Sequence, residues 1–191
     1  MPEFPIHTID SAPEEARAAL RRLRDGFAFV PNLHGGLAEA PAALAAYLDL
    51  SARFDATSLT PAERQIVLLS ASYENRCDYC MAAHSTVAAF AGLPPAAIAA
   101  LRRGEPIAEP RHEALRRFTL ALVRRRGRLA EAEVSGFLAS GFTRSQVLEV
   151  LVGVALKTLS NYYNHLAHTP LDVPFAAQRW EAPAEEAVAA D

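Results

Sequence analysis

Apolar residues recur at three- and four-residue intervals along most of the chain, the period of an amphipathic helix. Leu44, Tyr47, Leu48 and Leu50 make such a stripe within residues 40–54, and Pro41 suits a first turn. Thr60-Pro61-Ala62-Glu63 reads as a capping box opening a helix through Ile66, Val67, Leu68 and Leu69 to about Glu74. A second apolar helix is predicted from about Asp78 to Ala91, stopped by Gly92. Shorter helices follow at Ala96–Arg103 and Glu131–Ser140, with an amphipathic one at Arg111–Arg126 that turns Leu115, Phe118, Thr119, Leu122 and Val123 inward. Thr143-Arg144-Ser145-Gln146 is a second capping box, opening a long helix to about His165. Near the N-terminus, Ser11 is expected to cap a helix that begins around Pro13 and ends at Gly26. Phe27–Gly36 is expected to be a connector, broken by Pro31-Asn32 and Gly35-Gly36.

No run alternates as a half-buried strand would, and no repeat of fixed period is evident. The expectation is a single all-α domain over residues 1–191, with its core at about 25–175 and a flexible Ala/Glu-rich tail from about 181.

Composition narrows the function classes. Hydrophobic residues make up 51% and charged residues 21%, which excludes wholesale disorder. Net charge is −3, whereas a dedicated nucleic-acid binder is normally basic. The arginine run 124–126 reads as a solvated helix end that complements the dipole. Eighteen of the 19 basic residues are arginine; the exception is Lys157. No stretch reaches the roughly 18–20 apolar residues of a membrane span. MPEFPIHTID lacks the basic start and apolar run of a signal peptide. A cytoplasmic protein is therefore expected, and there a close cysteine pair points to catalysis, redox chemistry or metal.

The chain has two cysteines, both in Glu74-Asn75-Arg76-Cys77-Asp78-Tyr79-Cys80-Met81-Ala82-Ala83-His84. At about 100° per residue, Cys77, Cys80 and His84 share one face of a helix. A cysteine in the first turn lies near unpaired N–H groups and the positive end of the dipole, which favour thiolate. His84 is then placed to accept or relay a proton, and Glu74, just before the turn, to join it. A dithiol, a base and a carboxylate suit thiol–disulfide chemistry, including attack on a peroxide. A metal site is disfavoured, because three ligands from one helix have no second pair to complete a tetrahedron. No glycine fingerprint for a bound nucleotide cofactor is present.

The Cys-x-x-Cys-x-x-x-His segment after Glu74-Asn75 closely resembles the AhpD-like alkylhydroperoxidases of the carboxymuconolactone decarboxylase superfamily. Val30-Pro31-Asn32-Leu33, Leu59-Thr60-Pro61-Ala62-Glu63-Arg64, Ala91-Gly92-Leu93 and Asn161-Tyr162-Tyr163-Asn164-His165 look like its peroxidase-related branch. The resemblance implies an AhpD-like helical bundle whose central hairpin carries the motif, assembled as a homo-oligomer, a trimer or hexamer. It implies a thiol-dependent peroxidase reducing organic or hydrogen peroxide, with Cys80 peroxidatic, Cys77 resolving and His84 in the proton relay. It implies no bound cofactor and an external dithiol reductant, thioredoxin-like or lipoyl-type.

The sequence departs from that pattern at two positions. The relay glutamate of the family falls on Gln65, and the histidine before the second cysteine is Tyr79. Glu74 is expected to replace the lost carboxylate, since Glu63 is accounted for by its capping box. Tyr79, Asn161 and His165 are expected to line the pocket, and His34, His112 and His168 to be connector or surface residues. Two other functions are carried forward: a carboxymuconolactone decarboxylase-like enzyme, and a non-enzymatic redox-sensing oligomer.

Overall fold

A computed structural model describes residues 4–183. Among the described residues nine α-helices follow one another: α1 (Glu14–Phe27), α2 (Asn32–Leu37), α3 (Pro41–Asp55), α4 (Pro61–Glu74), α5 (Asp78–Phe90), α6 (Pro95–Arg103), α7 (Pro110–Arg124), α8 (Glu131–Ala139) and α9 (Arg144–Ala167). A 3₁₀ segment, Val173–Gln178, closes the described chain, and no strand occurs among the described residues.

The boundaries follow local chemistry. Both capping boxes form: Thr60 exchanges bonds with Glu63 at the start of α4, and Thr143 with Gln146 at the start of α9. Gly92, Gly104 and Gly141 take positive φ just past α5, α6 and α8. The N-terminal expectations need correction. Ser11 caps no helix; its hydroxyl accepts the Thr8 amide and closes a turn, and Pro13 stands at the cap of α1. The connector at 27–36 contains α2, because Pro31 fixes the φ of a first turn and both its carbonyl bonds run forward, to His34 and Gly35.

Helix α4 is the centre of the bundle. Its Ile66, Val67 and Leu69 are buried, and α5, α6, α7 and α9 pack around it. Gly153 lets α9 approach closely: a Cβ there would sit 2.7 Å from the Phe54 ring and 2.8 Å from Val67. The two helices α4 and α5 form the expected hairpin, and α9 crosses both. The 3₁₀ segment lies along α5. Beyond it, Trp180 donates to the Arg102 carbonyl, and the Pro183 carbonyl accepts from Arg76 at 2.6 Å, so residues 180–183 are docked. From residue 184 the expected tail lies outside the described residues.

Candidate functional site

The cysteine pair is positioned by the way α4 ends. The Arg76 amide bonds to the Tyr73 carbonyl and the Cys77 amide to the Ser72 carbonyl, both at 2.9 Å. This is a Schellman closure with Arg76, at φ 56°, in the left-handed position that glycine usually fills. Cys77 then serves as the N-cap of α5 in extended conformation. One residue therefore ends one helix and starts the next, and Cys80 falls in the first turn of α5.

Both cysteines are free thiols, each 1% exposed. Asn164 of α9 donates its Nδ2 toward both sulfurs, at 3.2 Å from Cys80 and 3.7 Å from Cys77. The Cys80 thiol faces the Ser160 hydroxyl at 3.9 Å. The two sulfurs are not equivalent. A bond from the Cys80 thiol, helped by Lys157, the Cys80 amide and Asn164, outweighs burial and brings Cys77 down to about 6. Burial and the same shared proton push Cys80 upward. These opposite shifts favour the anion on Cys77, whereas the resemblance implies Cys80 as the peroxidatic thiol.

His84, partly buried one turn beyond Cys80, lies between two partners. Its Nδ1 is 3.1 Å from Oε1 of Gln65, and its Nε2 is 3.0 Å from Nζ of Lys157. Burial and the lysine charge hold its pKa well below the usual histidine range. The neutral ring must then carry its proton on Nδ1, donating to Gln65, and accept at Nε2 from the ammonium. Lys157 is completely buried in α9. Its charge is felt at Cys80, Tyr47 and Cys77, and at His34 on α2.

The structure thus brings Cys77, Cys80 and His84 together and separates other expected residues from them. Glu74 is turned from the cysteines: its carboxylate pairs with Arg124 of α7 at 2.7 Å. Gln65 keeps the relay position itself, as the hydrogen-bond partner of His84. The Tyr79 hydroxyl donates to Asp172 at 2.5 Å and accepts the Leu33 amide. Asp172 in turn accepts the Asn32 amide, so Tyr79 ties the start of α2 to the end of the chain rather than lining a pocket at the sulfurs. Asn161 bonds Asn75 and Ser72, bracing the turn before Cys77. His165, one turn beyond Asn161, is exposed and is not among the groups at the sulfurs. His34 is no surface residue: it is buried against Phe27 and Tyr47, and its pKa falls to about 4 through burial first and Lys157 second.

Lys157, Asn164 and Tyr47 are the site residues that sequence reasoning passed over. One signal was available for the first. A lone lysine among arginines, inside an apolar helix, has no solvated face to explain it. Asn164 and Tyr47 carry no such mark.

No group of three or more His, Cys, Asp or Glu side chains is arranged to hold a metal among the described residues. No described helix is long and apolar enough to cross a membrane. A surface cleft of about 780 Å³ runs between α7 and α8, and another of about 430 Å³ between α5 and α6; neither is lined by the cysteines.

Residues 38–119, which span α3 to most of α7, match the carboxymuconolactone decarboxylase family. Over the whole chain the fold is similar to an alkylhydroperoxidase AhpD core, a peroxidase-related protein from Ralstonia eutropha JMP134: TM-score 0.82, 22% identity, 91% of this chain and 93% of that one covered. A peroxidase-related protein from Silicibacter sp. TM1040 gives TM-score 0.79 at 18% identity over 93% and 94% of the two chains. The debrominase Bmp8, as a cysteine variant with 2,3,4-tribromopyrrole, gives 0.77 at 14% over 93% and 95%. No curated protein matches. The fold is AhpD-like, and within it residues 38–119 carry the match to the carboxymuconolactone decarboxylase family.

Proposed function

We propose that the chain is a thiol-dependent oxidoreductase that reduces a peroxide through Cys77 and Cys80. The observation that carries this reading is the pair itself. Two buried free thiols stand one turn apart at the start of α5, and one amide, that of Asn164, donates to both sulfurs.

In this reading the Cys77 thiolate attacks the outer peroxide oxygen, and the O–O bond breaks. The departing alkoxide or hydroxide takes up one proton and leaves as alcohol or water. Cys77 becomes a sulfenic acid, and the Cys80 thiol condenses with it, releasing water and closing the disulfide. An external dithiol, thioredoxin-like or lipoyl-type, then reduces the disulfide by exchange. His84, partly exposed, is the group that passes protons between the buried network and solvent, and Gln65 orients its ring.

The fold by itself does not select peroxide, since a debrominase shares it. The choice rests on the ionised, paired thiols and on the likeness to peroxidase-related proteins. The test is peroxide consumption with several dithiol reductants, run beside Cys77→Ser/Cys80→Ser. Sustained turnover lost in the double variant supports the reading. One equivalent of oxidation without turnover favours the redox-sensing alternative.

A homo-oligomer belongs to the same proposal. Leu148, Leu151, Tyr162 and Leu166 lie exposed along one side of α9, a long apolar stripe for a second copy to cover. Light scattering that returns about one subunit mass at micromolar concentration would remove it.

A further inference from the structure

We propose that Lys157 is the resident counter-ion of the cysteine pair: a buried ammonium, without a carboxylate partner, whose charge is balanced by a single thiolate held between Cys77 and Cys80. This makes Lys157 a positioning residue that sets the ionisation of the pair. It deepens the thiol reading above and rests on it for its functional meaning.

Lys157 is 0% exposed, and a buried ammonium is strongly disfavoured unless an anion or a full set of acceptors compensates it. Among the described residues no carboxylate lies within ion-pair distance of it. The two buried carboxylates among the described residues are committed elsewhere. Glu63 pairs with Arg111 and caps α4, and Asp172 accepts from Tyr79 and Asn32. The Nζ has one side-chain hydrogen bond, to His84, which is a neutral acceptor.

The groups that face the ammonium can be taken element by element. Helix α5 offers Cys77, Cys80 and His84; α3 offers Tyr47; α2 offers His34. From α4 comes only the uncharged Gln65, reaching it through His84. Burial keeps the Tyr47 phenol protonated, and the two histidines can contribute no negative charge. The sulfurs are the remaining source of an anion.

The surroundings of the sulfurs are built to accept that role. Asn164 presents its donor side to both, and its own Oδ1 has no partner. An amide that leaves its acceptor idle in order to point its N–H groups at sulfur is bonding to an acceptor, which a thiolate is and a thiol is only weakly. Ion pairing also explains why the position is lysine in a chain of arginines. The compact ammonium reaches one imidazole nitrogen and places its charge beside the thiols, whereas a guanidinium would bring five donors to a site with few acceptors.

The test exploits the single lysine. Protein made with isotope-labelled lysine and no lysine in any added tag gives one ε-carbon signal, whose shift reports the charge of Lys157. In the reduced protein that signal should stay at its ammonium position from pH 6 to 9. In Cys77→Ser/Cys80→Ser it should titrate at least two pH units below the ordinary lysine value of about 10.4. In parallel, thiolate absorbance near 240 nm should rise below pH 7 in the wild type, and its midpoint should move up by about two units in Lys157→Met. Identical lysine titrations with and without the thiols, or a neutral Lys157 at pH 7 in the reduced protein, would overturn the proposal. The labelled wild type and the serine variant decide the matter even if Lys157→Met does not fold. Neither readout uses peroxide. A protein with the ion pair but no peroxide turnover would sink the peroxidase reading alone, and one with turnover but an uncharged Lys157 would sink this inference alone.

Discussion

Lys157 and His84, on helices 73 residues apart in sequence, meet at 3.0 Å. The contact fixes the imidazole. Its Nε2 is occupied by the ammonium, so its proton sits on Nδ1 and points at Gln65. On the proposed reading His84 acts on the cysteines through Lys157, and the Gln65 amide stands where the resemblance implies a relay carboxylate.

The cysteine pair should oxidise internally. Residues 77–102 form one tryptic peptide that holds both thiols. Mild peroxide at native fold should lower its mass by two hydrogens. Both thiols staying free while a control peroxidase oxidises would end the redox-pair assignment.

Glu74→Gln should leave disulfide formation within about twofold of wild type, and cost no more than about 1 kcal/mol, the worth of a partly exposed ion pair. Gln65→Leu should behave differently. It strips the His84 Nδ1–H of its acceptor, costing about 1–3 kcal/mol, and should slow oxidation roughly 10–100-fold through the disturbed relay. Stopped-flow oxidation and thermal midpoints of both variants check this. A dead Glu74→Gln at unchanged stability would return the carboxylate to the site.

Acid should destabilise the fold in a defined window. His34 titrates near 4 in the folded protein against 6.5 as its ordinary value, because burial disfavours its charged form. The unfolded chain therefore binds more protons between those values, and stability falls as pH drops from about 6.5 to 4. The full effect is on the order of 3 kcal/mol at about 1.4 kcal/mol per unit. His84 adds loss in the same direction. Denaturant unfolding at pH 7 and 4.5 should show the loss, and His34→Leu should reduce it. An unchanged pH slope in that variant would contradict the assignment.

Gly153→Ala should destabilise the protein although alanine is the better helix former. The added methyl meets Phe54 and Val67 at under 3 Å, an overpacking cost of about 1–3 kcal/mol set against a propensity gain of about 1 kcal/mol. A raised thermal midpoint would mean that α9 moves off the bundle at little cost.

Cys77 as N-cap makes its own stability profile. Its folded value near 6 lies below the ordinary thiol value of 9.0. The contribution is therefore complete above about pH 9 and lost as pH falls through 6. Comparing unfolding of wild type and Cys77→Ser across that range should show a difference that shrinks toward pH 6.

The helices were written locally. Thr60-Pro61-Ala62-Glu63 and Thr143-Arg144-Ser145-Gln146 satisfy their own first-turn amides within four residues, and Gly92, Gly104 and Gly141 relieve their own backbones, so these boundaries need no tertiary partner. The phase of Cys77, Cys80 and His84 on one face is likewise a property of helical pitch, and it was legible from spacing alone. What no spacing contains is what stands opposite that face. Asn164 reaches the sulfurs and Lys157 reaches His84 from α9, 73 to 87 positions along the chain, because Gly153 admits α9 against α3 and α4. Glu74 looked close to Cys77 because it is close in sequence. The Schellman turn at Arg76 reverses the chain between them, sending one side chain to Arg124 and the other into the core. Local hydrogen bonding therefore determines where each helix starts and stops. Packing determines which side chains share a low-dielectric interior, and with them the charge on the sulfur.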